Sequence, residues 1–223
     1  MNRKRILAVA ALCVVTMLII SACAKSRALI PVRAYLYTDE AEPLGFGAYG
    51  YLVFAAQPGE KDMPRYQHVC DAFQRGLVEA HGNSPETRAS QMATFWPLKL
   101  PLSTGEKDLS CEMLVKNYDY WRVSGIATAV KKQGVSGPVL VAWTQPFQET
   151  NSSDALVLDM SDFADEDLDR AFAIWRERIT TNPSAWQNGF KIVLFREAFR
   201  SLLQKYGETV LGVIHPAKSA PKA

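Results

Sequence analysis

Several features that enzymes and metal proteins depend on are scarce in this chain of 223 residues. It contains three histidines and four cysteines, with no two cysteines at a zinc-ligand spacing and no G-x-S-x-G nucleophile motif. His68 and Cys70 are two positions apart, so their side chains diverge on a helix. We therefore expect no metal and no catalytic residue set, and the sequence leans away from an enzyme.

Long apolar runs are also missing, and the most apolar stretch lies at the amino terminus. Residues 6–20 are uncharged and mostly apolar, which is short of the roughly 20 residues that span a bilayer. Basic residues 3–5 precede this run, and small residues 21 and 22 follow it before Cys23. This order is typical of a secretory signal.

Residues 1–23 resemble the signal peptides of bacterial lipoproteins, because an aliphatic residue and two small residues precede Cys23 as in a lipobox. The resemblance implies cleavage after residue 22, lipid on the Cys23 sulfur and acylation of the new amino terminus. Two or three acyl chains would hold the protein on a membrane. Ala24 is not the aspartate that retains lipoproteins at the inner membrane of enteric bacteria. The expected location is therefore the periplasmic face of the outer membrane, with inner-membrane anchoring left open.

The excess of positive charge belongs to this signal. The full chain has a formal charge of +2, and cleavage after residue 22 would leave 22 basic and 23 acidic residues, a charge of −1. Nucleic-acid binding needs a concentrated basic surface. We therefore expect no nucleic-acid partner; the expected partners are the membrane, through lipid, and other envelope proteins.

Two cysteines remain once Cys13 is cleaved away and Cys23 carries lipid. Cys70 and Cys111 both lie on the apolar stripes of predicted helices, and an oxidising compartment favours a disulfide between them. Two buried thiols are the alternative. A metal site is a remote third interpretation.

Alternating strand-like and helix-like segments predict an α/β fold for the mature chain. We expect a 23–44 tether containing one edge strand, a single domain over 45–214 and a disordered tail over 215–223. The domain is predicted to be an αβ sandwich with a partly parallel sheet of four to five strands and about four helices. The predicted strands lie near 49–55, 93–100, 138–143, 155–159 and 210–214, and the helices near 66–80, 110–134, 165–179 and 192–206.

Two local patterns imitate ligand motifs. Gly45, Gly47 and Gly50 match G-x-G-x-x-G, but a predicted strand follows them where a nucleotide site needs a helix, so no cofactor is expected. The acidic run 159–167 lacks the central glycine of a calcium loop. We interpret it as a helix start, with Asp162 or Asp165 as the cap.

Two regions remain as candidate binding sites. Ligands of open α/β sheets bind beyond strand carboxyl ends, which here offer Gln57, Trp143, Thr144, Gln145, Asp159 and Ser161. Tyr120, Trp121 and Arg122 form a candidate partner surface, because these residue types are enriched at interface hot spots. The leading hypothesis is a lipid-anchored periplasmic accessory or interaction protein of an envelope assembly or export system. The alternative is a periplasmic hydrolase or small-ligand-binding protein that uses the strand-end region.

Overall fold

Seven strands form one mixed sheet in the computed structural model, which describes residues 28–80, 84–101, 109–131, 135, 137–146, 154–186 and 190–214. The strands are β1 (Ile30–Leu36), β2 (Ala48–Phe54), β3 (Val78–Glu79), β4 (Gln91–Pro97), β5 (Pro138–Trp143), β6 (Ala155–Asp159) and β7 (Leu211–Ile214). Their order across the sheet is β3-β1-β4-β2-β5-β6-β7. The predicted α/β class is confirmed, although the sheet has more strands than the four to five expected.

Eight α-helices accompany this sheet within the described residues, about twice the predicted number. They are α1 (Met63–Gly76), α2 (Pro85–Ala89), α3 (Cys111–Lys116), α4 (Ser124–Lys131), α5 (Asp165–Ile174), α6 (Pro183–Trp186), α7 (Ile192–Ala198) and α8 (Arg200–Tyr206). A π-helical turn, Trp175–Ile179, continues α5, and a 3-10 turn, Glu208–Val210, precedes β7. No helix of the described part is long and apolar enough to cross a bilayer.

The two halves of the sheet differ in strand direction. Strands β3, β1, β4 and β2 are parallel, whereas β5, β6 and β7 each run antiparallel to the preceding strand in the sheet. Strands β2, β4 and β5 are buried along their whole length. This is expected for central strands covered on both faces.

Aromatic side chains fill the core on both faces of the parallel half. On one face, the ring of Trp96 in β4 contacts that of Phe73 in α1 at 5.5 Å between centroids. Neighbouring Phe95 points to the other face, because side chains alternate along a strand. There it contacts Phe46, in the segment that joins β1 to β2, at 5.9 Å. That segment therefore crosses the sheet over β4 without forming a helix.

The expectation of an edge strand in the 23–44 segment is wrong. The predicted tether segment contains β1, which is paired on both sides, with β3 and with all seven residues of β4. Strand β4 is central, although a proline in a strand usually indicates an edge position. Pro97 is tolerated because it is the last residue of the strand, and Leu98 supplies the next backbone N–H to the Leu36 carbonyl at 2.8 Å.

The predicted 110–134 helix is two helices, α3 and α4, with a turn between them. Ser110 caps α3, because its side chain accepts a hydrogen bond from the Met113 N–H. The break follows at Tyr118, which forms an isolated antiparallel bridge with Leu98 at the end of β4. The periodic apolar pattern continued through the break because Tyr118 and Val123 are buried without being helical.

Tyr118 also completes the hydrogen bonding of β2. The ladder between β2 and β4 ends at the pair Tyr51 and Phe95. Beyond it, the Tyr118 hydroxyl donates to the Leu52 carbonyl at 2.7 Å and accepts from the Phe54 N–H at 3.4 Å. The phenol thus replaces the missing neighbour strand. Its burial raises the pKa of Tyr118 well above the usual value, so it remains a neutral donor.

Candidate functional site

The predicted ligand region is divided between the two ends of the sheet. Gln57 follows β2, and Asp159 at the end of β6 is paired with Val139 near the start of β5. Trp143 ends β5, four positions further along. These positions are about 13 Å apart at the usual rise per residue of a strand.

The carboxyl ends of these strands do not meet at one edge of the sheet. Strand β5 is antiparallel to both neighbours, so its carboxyl end lies beside their amino ends. Ser161 lies with Asp159 and Gln57, whereas Thr144 and Gln145 lie with Trp143. Neither group contains all the polar residues that were expected to converge. The six residues do not form one site.

Asp159 and Ser161 hold a loop together. The Asp159 Oδ1 accepts hydrogen bonds from the Ser161 N–H, at 2.9 Å, and from the Ser161 hydroxyl. That hydroxyl accepts in turn from the Gly137 N–H at 2.8 Å. A Cβ on Gly137 would lie only 2.7 Å from the Ser161 Cα, so this contact requires glycine. The polar groups are used within the fold.

At the opposite end of the strand, Trp143 is part of the core. Its side chain is fully buried and contacts the ring of Tyr51 edge to face at 6.0 Å. Burial, with a smaller contribution from nearby Glu42, raises the pKa of Tyr51. An aromatic wall for a ligand would need an exposed face, which Trp143 does not offer.

The predicted cysteine pair is confirmed. The Cys70 and Cys111 sulfur atoms lie 2.05 Å apart, with a Cα–Cα distance of 5.6 Å. The bond joins the middle of α1 to the first residue of α3. It thereby fixes the start of the segment that leads to the Tyr118 turn.

The turn after α3 carries the most exposed large apolar side chain of the described residues, Trp121, at 82% exposure. The buried Asp119 fixes the turn, because its Oδ1 accepts from the N–H groups of Trp121 and Arg122 at 3.1 Å each. The Arg122 guanidinium donates to the carbonyl oxygens of Tyr37, at 2.6 Å, and Glu40. The exposed indole is therefore attached to a backbone that hydrogen bonds of the Asp119 and Arg122 side chains hold in place.

The other two members of the predicted partner surface have different positions. Tyr120 is half-buried, with its ring 4.8 Å from that of Tyr118 and its hydroxyl buried without a hydrogen-bond partner in the described part of the chain. Burial raises the pKa of Tyr120. The Arg122 guanidinium is hydrogen-bonded to backbone carbonyls. Of the three, Trp121 is the one presented to solvent.

The acidic run forms the start of α5, as expected, but without the predicted cap. Ala164 occupies the N-cap position, and its N–H donates to the Tyr206 hydroxyl at 2.8 Å. That hydroxyl and the Lys205 ammonium each donate to the buried Asp167 carboxylate at 2.6 Å. The hydrogen bond from Lys205, followed by that from Tyr206, lowers the pKa of Asp167. This cluster joins α8 to α5.

Neither metal-binding nor histidine chemistry emerges from the described residues. Across them, no group of three or more His, Cys, Asp or Glu side chains is placed to hold a metal ion. His68 has its Nδ1 3.5 Å from the Asp165 carboxylate, which is also bound by Arg65 at 2.8 Å. His81, His215 and Cys23 lie outside the described residues.

The glycine pattern serves the entry into β2. Gly45 has a φ of +91°, and a Cβ on Gly47 would lie 2.8 Å from the Ala89 carbonyl oxygen. Strand β2 follows directly, so the helix amino terminus that a dinucleotide site requires is not at this position.

A surface groove that sequence reasoning missed lies between the end of α5 and the helices α7 and α8. Two adjoining cavities, of about 320 and 250 Å³, share Arg178, Ala198 and Ser201. Arg200 lines the first cavity and Arg170 the second. Arg200 lies 22 positions after Arg178, which itself lies in the π-helical turn, so no periodic pattern indicated that these arginines would meet.

Comparison with protein-family models, with curated proteins and with solved structures found no match for the chain.

Proposed function

We propose that the chain is a lipid-anchored periplasmic accessory protein, which binds another protein of an envelope assembly or export system through Trp121. The observation that carries the proposal is the 82% exposure of this indole on a braced turn. Tryptophan is among the residues most enriched at interface hot spots. Because Asp119 and Arg122 already fix the backbone, little conformational entropy is lost when a partner covers the ring.

The anchor supports the same proposal. Lipid on Cys23 would hold the domain at a membrane surface, where partners diffuse in two dimensions and the local concentration of envelope proteins is high. The division of the ligand region removes the specific support for the hydrolase or ligand-binding alternative. The remaining hypothesis needs only the anchor and an exposed recognition side chain.

Site-specific crosslinking tests the partner surface. A photoreactive phenylalanine analogue at Trp121 is expected to give discrete protein adducts in intact cells of the native host. The matched control is the same analogue at Val193, which is 72% exposed on α7. Equal adduct patterns at both positions, or none at Trp121, would contradict the proposal.

The anchor is tested separately. Mass spectrometry of the mature amino-terminal peptide is expected to show an acylated Cys23, and the Cys23→Ser variant is expected to lack this acylation. The Trp121 adducts should decline with Cys23→Ser if anchoring brings the partners together. An unmodified amino terminus in the wild-type protein would refute lipid attachment while leaving the crosslinking result interpretable.

A further inference from the structure

We infer that the groove of Arg170, Arg178 and Arg200 binds the phosphate groups of anionic phospholipids in the membrane that carries the anchor. The three guanidinium groups make no hydrogen bond or ion pair with any described residue, whereas most other arginines of the described chain do, such as Arg65, Arg75 and Arg176. Guanidinium groups match phosphate oxygens in charge and geometry.

The charges around the groove favour an anion. Glu177 and Glu197 also line it, but the Glu177 carboxylate is bound by Arg176 at 2.8 Å. Among the described residues, three guanidinium groups without an ion pair therefore line the groove with one such carboxylate, that of Glu197, and the Asp167 carboxylate acts on Arg170 only at longer range. Ser201 lines both cavities and carries a hydroxyl that can donate a hydrogen bond. The apolar residues of the lining are Ala173, Ile174 and Ala198.

The position of the amino-terminal segment argues for a lipid as the source of the phosphate. The Leu29 N–H donates to the Thr180 carbonyl at 3.0 Å, so Leu29 is held beside a residue that lies two positions after Arg178. Five residues lie between Cys23 and Leu29, so these two residues are at most roughly 20 Å apart when the chain is extended. This inference rests on the proposed lipid anchor. A lipid on Cys23 would hold the groove close to the bilayer, because the connection from Cys23 to Leu29 beside Thr180 is short.

Arginine-specific labelling with phenylglyoxal tests the inference on the full protein purified from membranes. The protein is reconstituted into vesicles of phosphatidylcholine alone, or of phosphatidylcholine with 30% phosphatidylglycerol. Each basic residue near an anionic surface contributes about a fivefold preference for it. We therefore expect the labelling of Arg170, Arg178 and Arg200, read by peptide mass spectrometry, to slow by about fivefold or more in the anionic vesicles.

Matched variants separate the groove from general charge. Arg178→Gln with Arg200→Gln should return the labelling rate of Arg170 to its value in neutral vesicles. Lys61→Gln with Lys116→Gln removes the same charge from exposed positions outside the groove and should leave Arg170 protected. Unchanged thermal unfolding of both double variants would show that the fold is intact.

Equal labelling in the two vesicle types would overturn the inference. So would protection by 10 mM inorganic phosphate in neutral vesicles that matches the protection by phosphatidylglycerol, since the site would then take free phosphate. The same mass spectra report acylation of Cys23. If the protein is unacylated but its arginines are still protected by anionic vesicles, the anchor is refuted and phosphate binding by the groove is supported. If the protein is acylated but its arginines are not protected, the anchor is supported and phosphate binding is refuted.

Discussion

Removing the Tyr118 hydroxyl is expected to destabilise the fold far more than removing the hydroxyl of Tyr120, two residues away. In Tyr118→Phe, the Leu52 carbonyl loses a donor at 2.7 Å and the Phe54 N–H loses an acceptor at 3.4 Å, both at buried positions. An unsatisfied buried polar group costs about 1–3 kcal/mol, and the longer bond contributes the smaller share. We expect Tyr118→Phe to lower the free energy of unfolding by about 2–3 kcal/mol.

Tyr120→Phe is the matched control, because it removes the same atom from the same turn. The Tyr120 hydroxyl is buried and has no hydrogen-bond partner among the described residues. Its removal abolishes the cost of burying a hydroxyl without a hydrogen bond, and it leaves no other described polar group unpaired. The variant should be neutral or more stable by up to about 1 kcal/mol.

Urea denaturation followed by circular dichroism measures both effects. With a slope of about 2 kcal/mol/M, the midpoint of Tyr118→Phe should fall by about 1–1.5 M, while that of Tyr120→Phe should stay level or rise. Equal midpoints for the two variants would refute the idea that a phenol completes the β2 ladder. A large loss of stability in Tyr120→Phe would refute the statement that the Tyr120 hydroxyl has no hydrogen-bond partner among the described residues.

Two further predictions concern links between helices. Replacing Cys70 and Cys111 by serine should cost about 4 kcal/mol of unfolding free energy, from the entropy of a 41-residue loop, and alkylation of both thiols in the unreduced native protein would contradict the bond. Asp167→Asn should cost about 1 kcal/mol at pH 7. Because Lys205 and Tyr206 lower the pKa of Asp167, its contribution is present above pH ~4 and is lost as the pH falls through the folded-state value, so the stability difference should close in acid.

Local patterns predicted the elements that are apolar throughout or strongly periodic. Strands β2, β5 and β6 and helix α1 lie close to where the sequence indicated, since hydrophobic periodicity is a local property. The cysteine pair was also predictable, because both residues belong to apolar stripes and no other pairing remained after Cys23 was assigned to lipid.

Strand order and direction could not be predicted from such patterns. Strand β1 pairs with β4, which lies far along the chain, and nothing in its own seven residues specifies that neighbour. The direction of β5 decided where Trp143 and Asp159 lie, and apolar residues on both faces fit either direction equally well. The predicted ligand region failed for this reason.

The candidate partner surface was predicted in composition but not in exposure. A run of Tyr120, Trp121 and Arg122 on one continuous helix would have placed each on a different face. The structure replaces the helix by a turn that buries the tyrosine hydroxyl, engages the arginine and exposes the indole. The hydrogen bonds from the Trp121 and Arg122 N–H groups to Asp119 are local, whereas the bridge between Tyr118 and Leu98, which accompanies the break in the helix, is a tertiary contact.

The pairing of β1 has a consequence for the time course of biogenesis. Residues 37–90 lie between β1 and β4, so 54 residues are made after β1 before synthesis of β4 begins, which takes several seconds at usual rates of synthesis. During that interval both edges of β1 are open to pairing with other chains. Pro31 and Arg33 lie within the strand, and a proline and a charge at such positions resist association with foreign strands. The residues that make β1 a weak strand thus protect the newly made chain from aggregation.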